Sequence, residues 1–589
     1  MKKRCLSLIL AVVLIILGCV VSYAVDTDFG NVKTTRITLV DKDGYRLSAN
    51  LYIPEEASQQ QPHPAMIISP GGDCTADLAS PWATELARRG YVVAAVDYTG
   101  SGDTQVNPQA QYFSGGAMGL DTVYDYLAAC SFVDSSQIGV GGHSMGSLYS
   151  YRLALQRDVT VVISDVLYTD DMPDYDFNFI EIAAEHDEGI LSRIKSFDEI
   201  YRDEFLTELF GTEEIEPNKI YGSWEDGNVR VLYPLNQTHQ DDMVSGQFIR
   251  VMLESVMNSM PAPNPIDAGN MVYGWKIVGL AAAIIGLVIF LFSVAGLLLE
   301  SGWFDSLKLK AVESQPGFTY GSKAWWIYFA ILAIVPLATF FPGTALGNKM
   351  ASNKLYQLGT TPNGYMVWTL LSTFVLIVVF VIFHIVYGKK HGGSLKSYGY
   401  GTSDSQKTIC ISYILKSAVF ALILFMCGYT MIMLIFHFAN TDLHLWTMSL
   451  RPLNREKAAT MPWYFLGFLP YFLMFTLAGK GLGMERKKRM STAKSVIIST
   501  FVGLLGLIAL FFIYEILLRF TSIGPFYTGS FAHFYMSLLE NVIPSFGVAM
   551  ALNLYIGKKT NSSYAGIFIG AAIIAFGIVS ANCLGMIVD

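Results

Sequence analysis

Gly142-His143-Ser144-Met145-Gly146 has the spacing with the clearest chemical meaning in the chain. Glycines two residues either side of a serine let a strand turn sharply into a helix and leave the hydroxyl exposed at the crest. The apolar run 138–140 before it and the helical pattern 147–155 after it supply that strand and helix. A serine hydroxyl is a weak nucleophile until a base takes its proton, and the base needs an acid to orient it. The chemistry this points to is attack on an acyl carbon.

In such an arrangement the acid and base follow the serine, each in a loop past the carboxyl end of a strand. Residues 177–184 read as a strand with Asp187 just beyond it, and residues 229–235 as the last strand with His239 beyond it. Ser144, Asp187 and His239 are therefore the expected nucleophile, acid and base. Asp165, ending the preceding strand, is the alternative acid, and His186 is a rival base. His143 is expected to pack or orient the turn, while Glu185 and Glu188 read as solvated neighbours. A developing oxyanion needs backbone donors. The N–H of Met145 is one, and Gly72 in Ser69-Pro70-Gly71-Gly72-Asp73 is the expected second.

The elements that must position these groups alternate strand and helix from residue 34. Residues 36–54 read as two antiparallel strands about an Asp43-Gly44 turn. Buried strands then alternate with helical stretches, which predicts an α/β domain with a doubly wound, mainly parallel sheet. The segment between Asp187 and His239 is longer than one connecting helix needs. It reads either as a lid over the pocket or as a helix with an elaborated loop, and its many acids disfavour an anionic substrate if it faces the site.

The motifs Leu47-Ser48-Ala49-Asn50-Leu51-Tyr52-Ile53-Pro54, the run 90–104, the run 133–147 and Leu235-Asn236-Gln237-Thr238-His239-Gln240-Asp241 carry a resemblance. Residues 37–260 resemble the α/β-hydrolase superfamily, nearest its dienelactone hydrolase and acyl-peptidase-like branch. The resemblance implies hydrolysis of an ester, thioester or amide through an acyl-serine, with no metal and no cofactor. The chain departs from that pattern at Ser69-Pro70-Gly71-Gly72, where relatives often carry His-Gly, and at Ser147, where many have a third glycine. The membrane half lies outside the resemblance.

The rest of the chain is of another kind. Of 589 residues 52% are hydrophobic and 15% charged. The formal charge of −8 hides a division: residues 24–272 carry −24 and residues 273–589 carry +13. Eight apolar spans follow residue 273, near 276–299, 324–346, 364–387, 418–438, 462–478, 495–518, 531–556 and 565–588. Each approaches the roughly 20 residues that cross about 30 Å of hydrocarbon, so an all-α, multi-pass membrane domain of about eight helices is expected over 276–589. It follows a linker, 261–275, and a domain spanning 26–260.

Residues 1–25 join Lys2, Lys3 and Arg4 to an apolar run. They read as a signal peptide cleaved after Ala24, a retained anchor, or a lipoprotein-like signal with Cys19 as the lipidated end. Alternate loops after residue 273 carry 16 basic residues, among them Lys308, Lys389, Lys407 and the cluster Arg486 to Arg489. The intervening loops carry 6, namely Lys349, Lys354, Arg451, Arg455, Lys457 and Arg519. By the positive-inside rule the acidic half and the C-terminus are extracytoplasmic and the protein sits in the cell membrane. Glu515 and Glu540, then His384, His437 and His533, are the ionisable residues in spans. They read as a polar pathway or as packing partners, with Arg519 one turn from Glu515 fitting an ion pair.

Seven scattered cysteines form no metal or redox motif, and Cys74 and Cys130 could pair only with each other outside the spans. No nucleic-acid signature is present. The expected partners are membrane lipids and a small-molecule, lipid or glycan ester. Two functions follow: a membrane-bound serine hydrolase, or a transporter-like or sensory protein whose hydrolase-like domain only binds a ligand.

Overall fold

The computed structural model describes residues 2–585 except 110–115, 166–168, 170, 174–175, 192, 195, 312–315, 404–408, 446, 483–490 and 522–531. Lys407, the Arg486–Arg489 cluster and the last residues of the eighth span thus lie outside the described residues.

The Asp43-Gly44 turn closes the antiparallel pair β1 (Val32–Val40) and β2 (Arg46–Pro54), with Val40 opposite Arg46. The Asp41 carboxylate fixes it by accepting the N–H groups of Asp43 and Tyr45 at 3.0 and 2.8 Å. β2 runs antiparallel to β4 (Val92–Asp97). Beyond it β3 (His63–Ser69), β5 (Val133–His143), β6 (Val161–Asp165), β7 (Asn178–Ala184) and β8 (Arg230–Leu235) are all parallel. The sheet order is β1-β2-β4-β3-β5-β6-β7-β8.

Strand residues point alternately to the two faces, and each face builds a core. Ala65 and Ile67 join α3 (Leu120–Ala129) and α4 (Met145–Ala154) on one side. Met66 and Ile68 join α2 (Ser80–Arg88) and α7 (Gly246–Ser259) on the other. A sheet covered on both faces needs continuous apolar strands, which is why β3 and β4 are buried throughout.

The stretch between Asp187 and His239 holds α5 (Glu188–Leu191) and α6 (Glu204–Phe210). Phe205 of α6 packs edge-on against Tyr151, and Phe210 against Phe179 of β7. Of the two readings of this segment, the structure has the packed helix with a loop: α6 lies on the sheet.

Nine helices among the described residues are long and apolar enough to cross a membrane, which makes this a multi-pass membrane protein. They are α1 (Lys2–Asp26), α8 (Tyr273–Glu300), α9 (Lys323–Gly347), α10 (Thr360–Phe383, continuing to His391) and α11 (Ile411–Phe438). The others are α12 (Arg455–Gly479, continuing to Leu482), α13 (Thr492–Thr521), α15 (Leu539–Thr560) and α16 (Tyr564–Ala581), with the short α14 (Ala532–Ser537) before α15. Eight of the nine follow residue 273, but the expected span 531–556 is broken into α14 and α15. That over 565–588 ends as helix at Ala581, where the chain turns back to the sheet domain through Cys583 and Leu584.

The segment leading into α8 is pinned rather than loose. Arg89, fully buried, donates to the carbonyls of Ile266 and Asn270 at 3.1 Å each and to that of Asp267 at 2.5 Å. Glu85 accepts the N–H groups of Val272 and Tyr273 at 2.6 and 2.9 Å, meeting the need for an acceptor at the start of α8.

α1 lies antiparallel along α8. A Cβ on Gly18 would come within 2.3 Å of the Gly279 carbonyl, and one on Gly286 within 2.8 Å of that of Ala11. Small residues let membrane helices approach this closely. Ion pairs close both ends of the seam, Arg4–Glu300 at 2.9 Å and the buried Asp26–Lys276 at 2.6 Å. Removing residues 1–24 would open the Gly279–Gly286 face to lipid. Intact mass of the purified protein is accordingly expected to include them, and an N-terminal sequence starting at Val25 would rule this out.

Candidate active site

β5 ends at His143, and α4 begins at Met145, so Ser144 alone makes the turn. Its φ of 54° and ψ of −121° are strained for a residue with a side chain. The flanking glycines are forced by contact. A Cβ on Gly142 would lie 2.1 Å from the Gly146 carbonyl carbon, and one on Gly146 2.2 Å from the Ser69 carbonyl oxygen. Ser147, the departure from a third glycine, ties the turn to β6. Its hydroxyl lies 2.7 Å from the carbonyls of both Gly142 and Asp165 and accepts the Asp165 N–H at 2.8 Å.

His239 Nδ1 lies 2.7 Å from Asp187 Oδ2. The other Asp187 oxygen accepts the N–H groups of Gly189 and Ile190 at 2.5 and 2.9 Å, fixing the carboxylate. The His239 ring stacks on that of His143, centroids 4.5 Å apart, and the His239 carbonyl accepts from His143 Nε2 at 3.1 Å. The imidazole therefore sits against His143, the residue before Ser144, with Nδ1 facing the Asp187 carboxylate.

Burial disfavours charge on His239, but the Asp187 carboxylate outweighs it, helped by Glu188 and Asp242, and the imidazole is held well above its ordinary value. Asp187 is likewise penalised by burial, yet His239 and the two N–H groups hold it below the usual carboxylate range. His143 is the opposite case: burial, then the charge of His239, pushes it down to about 3, so it is neutral.

Asp165 does not pair with His239. It faces His143 Nε2 at 3.3 Å, and burial together with the charges of Asp242 and Asp187 pushes its carboxyl well up, favouring the protonated acid. His186 is buried and has no contact with Asp187 of the kind His239 makes. Glu188, read from sequence as solvated, is 2% exposed. It packs at the bundle, near Ser537 and Tyr514, and burial first, with Asp187, brings it up to about 7. Glu185 is half-buried.

Met145 and Gly72 adjoin: a Cβ on Gly72 would stand 3.7 Å from Met145 Sδ. Gly71, which the sequence did not single out, is tighter. A Cβ there would lie 2.7 Å from His143 Nδ1 and 3.3 Å from Ser144 Cβ. Tyr98 Oη donates to the Gly71 carbonyl at 3.0 Å and so helps set this loop.

One group among the described residues has metal-ligand spacing: His143, Asp165, His239 and Asp242, with one ligand atom of each within 4.8 Å of the others. A cation drawing on all four would engage the His239 imidazole.

Segments of the membrane half meet the loops at the carboxyl ends of these strands. Asp73 accepts the N–H of Cys583 at 3.0 Å, and Leu584 N–H donates to the Gly100 carbonyl at 3.0 Å. Arg519 reaches Asp241, two residues past His239, at 3.0 Å, and also pairs with Glu515 at 3.0 Å. The hairpin β9 (Leu443–Leu445) and β10 (Met448–Leu450) leads into Arg451, which is 1% exposed. Arg451 lies 2.6, 3.4 and 3.7 Å from carboxylate oxygens of Asp103, Asp97 and Asp77. Two of the six basic residues in the sparsely basic loops are thus neutralised by the acidic half.

Elsewhere in the spans, His384 Nδ1 meets Tyr398 Oη at 2.7 Å, His437 packs edge-on to Phe438, and Glu540 lies 3.4 Å from Asn541 Nδ2. The His533 side chain lies outside the described residues. Cys74 and Cys130 are both free thiols, so the pairing the sequence allowed is not made.

No family model matches the chain. An uncharacterized protein, YcjY, of Escherichia coli (strain K12) is 31% identical over 114 residues, 19% of this chain and 37% of that protein. The chain thus spans little more than a third of that curated relative's length. Three solved structures share partial similarity. Hypothetical protein PA2218 from Pseudomonas aeruginosa has 23% identity and a TM-score of 0.22, over 24% of this chain and 44% of that one. DcsB in complex with its substrate analogue has 21% and 0.20, over 25% and 47%. Ferulic acid esterase from Streptomyces cinnamoneus has 20% and 0.22, over 26% and 65%.

Proposed function

We propose that the protein is a membrane-bound serine hydrolase of α/β-hydrolase type that cleaves an ester, thioester or amide on the extracytoplasmic side of the cell membrane. The observation that carries the reading is the strained Ser144 turn beside an imidazole whose Nδ1 lies 2.7 Å from a buried carboxylate.

In this mechanism Ser144 Oγ attacks the acyl carbon as His239 Nε2 takes its proton. Asp187 holds the tautomer and stabilises the imidazolium. The N–H groups of Met145 and Gly72 receive the oxyanion. Collapse of the tetrahedral adduct breaks the bond to the alcohol, thiol or amine, which leaves with the proton from His239. Water, deprotonated by the same imidazole, then attacks the acyl-serine, and the acid and free hydroxyl are regenerated.

The test is labelling of the full-length protein in detergent or nanodiscs by a fluorophosphonate, with p-nitrophenyl ester turnover alongside. Wild type should label and turn over, whereas Ser144→Ala should lose the label and about 10³-fold or more of kcat. Label retained in the alanine variant would discard the nucleophile, and no label on a folded wild type would discard the hydrolase.

A further inference from the structure

We propose that the substrate is a lipid ester whose acyl chain enters from the bilayer along α8, so that the membrane half forms part of the binding site. This rests on the hydrolase reading and narrows its substrate class.

A cavity of about 120 Å³ lies between the loop that follows β3 and the start of α8. On one side it is lined by Pro70, Gly71 and His143, which flank the Ser144 turn. On the other it is lined by Ile277, Leu280 and Ala281 of α8, with His444 and Thr447 from the loop after α11. Ile277 is 37% exposed on the outer surface of a helix apolar enough to span a membrane, so the wall of this cavity is also a lipid-facing surface.

A second, separate apolar cavity of about 180 Å³ lies further along α8, lined by Ile284, Leu287, Val288 and Leu291 together with Met448 and Gly577. From Leu291 to Tyr273 one helix walls both cavities. With about 1.5 Å of rise per residue, the stretch from Tyr273 to Ala281 alone guides a chain for about 12 Å towards the nucleophile.

The occupant follows from the chemistry of the walls. Apart from His444 and Thr447 at the hairpin, Tyr273, whose hydroxyl already donates to the Val244 carbonyl at 2.6 Å, and Lys276, whose ammonium is already paired with Asp26 at 2.6 Å, the α8 wall offers hydrocarbon. A glycan or peptide would lose its water there without replacing those hydrogen bonds. An alkyl chain gains by the same transfer. Four separate bundle segments also meet the carboxyl ends of the strands, near Asp73, Asp241, Asp103 and Glu188. An apolar path from the lipid is thus the approach that the surrounding residues favour.

The experiment uses the full chain in nanodiscs and an alkyl fluorophosphonate of about ten carbons with a terminal diazirine. Ser144 Oγ displaces fluoride from phosphorus, with its proton passing to His239, and irradiation then cross-links the chain end. Peptide mapping should find the cross-link on α8 between Tyr273 and Ala281 or on His444 or Thr447. A cross-link on α6 or on solvent-facing loops would overturn the proposal while leaving the hydrolase intact.

A second arm compares kcat/KM for decanoyl and acetyl p-nitrophenyl esters. Ile277→Trp and Ala281→Trp should each lower the decanoyl-to-acetyl ratio by about tenfold or more, as expected when several methylenes lose their site. Ile285→Trp, on an exposed position of the same helix outside the cavity, should leave the ratio as in wild type. A ratio unchanged in the first two variants, or lowered equally in the third, would overturn the slot. Wild type that fails to label at Ser144 takes the hydrolase reading and this one down together.

Discussion

Asp187→Asn is expected to lower kcat by about 10³- to 10⁴-fold, because a neutral amide in this position stabilises the wrong imidazole tautomer. Asp165→Asn should stay within about tenfold of wild type. The difference follows from placement, since Asp187 faces His239 Nδ1 at 2.7 Å whereas Asp165 faces His143 Nε2 at 3.3 Å. The pH profile supplies an independent readout. Against the cost of burial, Asp187 raises His239 above its ordinary value, so the base is free only on the alkaline side. Activity should therefore climb with pH through an apparent pKa above 6.5. Losing the anion removes the largest raising influence, and in the Asn variant the residual activity should turn on at lower pH. A variant with near-normal kcat and an unmoved acid limb would show that Asp187 is not the acid. The measurement is kcat and kcat/KM against pH for wild type and both variants.

The second large effect is expected at Arg451. Its guanidinium is fully buried among Asp77, Asp97 and Asp103, with Arg36 also bonding Asp77 at 3.1 Å. Removing one partner of a buried ionic cluster leaves uncompensated charge, at a cost of about 3–5 kcal/mol. Arg451→Met should therefore lower the thermal unfolding midpoint in nanodiscs by several degrees. It should also slow turnover, through the loop preceding α2. Asp97 accepts the Ala76 N–H at 2.7 Å and the Arg451 guanidinium at 3.4 Å through its two oxygens. Thr75 Oγ1 meets Ser449 Oγ of the hairpin at 2.9 Å. Asp103→Asn added to Arg451→Met should recover part of the stability, since it removes a carboxylate the first change stranded. Unaltered unfolding in Arg451→Met, or no recovery in the double variant, would refute a coupling role for this cluster.

Much of this was legible in local pattern. The Asp43-Gly44 hairpin, the strand–helix alternation and the eight apolar spans after residue 273 depend on short-range periodicity and turn chemistry. Gly142 and Gly146 could be read because the turn they permit lies within five residues. Asp187 and His239 were legible as loop residues at strand ends, although nothing local distinguished Asp187 from Asp165 as the partner of His239. Glu188 was misread because it is buried beside Tyr514 and Ser537, which lie more than three hundred residues away in sequence.

By itself, then, the sequence determined where the strands and most of the spans lie, which serine sits at a forced turn, and how charge divides between the halves. Each of these depends on neighbours along the chain. The tertiary structure alone decided that Asp187 faces His239 while Asp165 faces His143, and that α6 lies on the sheet. It also decided that the bundle meets the face bearing Ser144 through Arg451, Arg519 and Cys583. Those outcomes depend on distances between residues remote in sequence, set by the packing of whole elements, and no local periodicity encodes them.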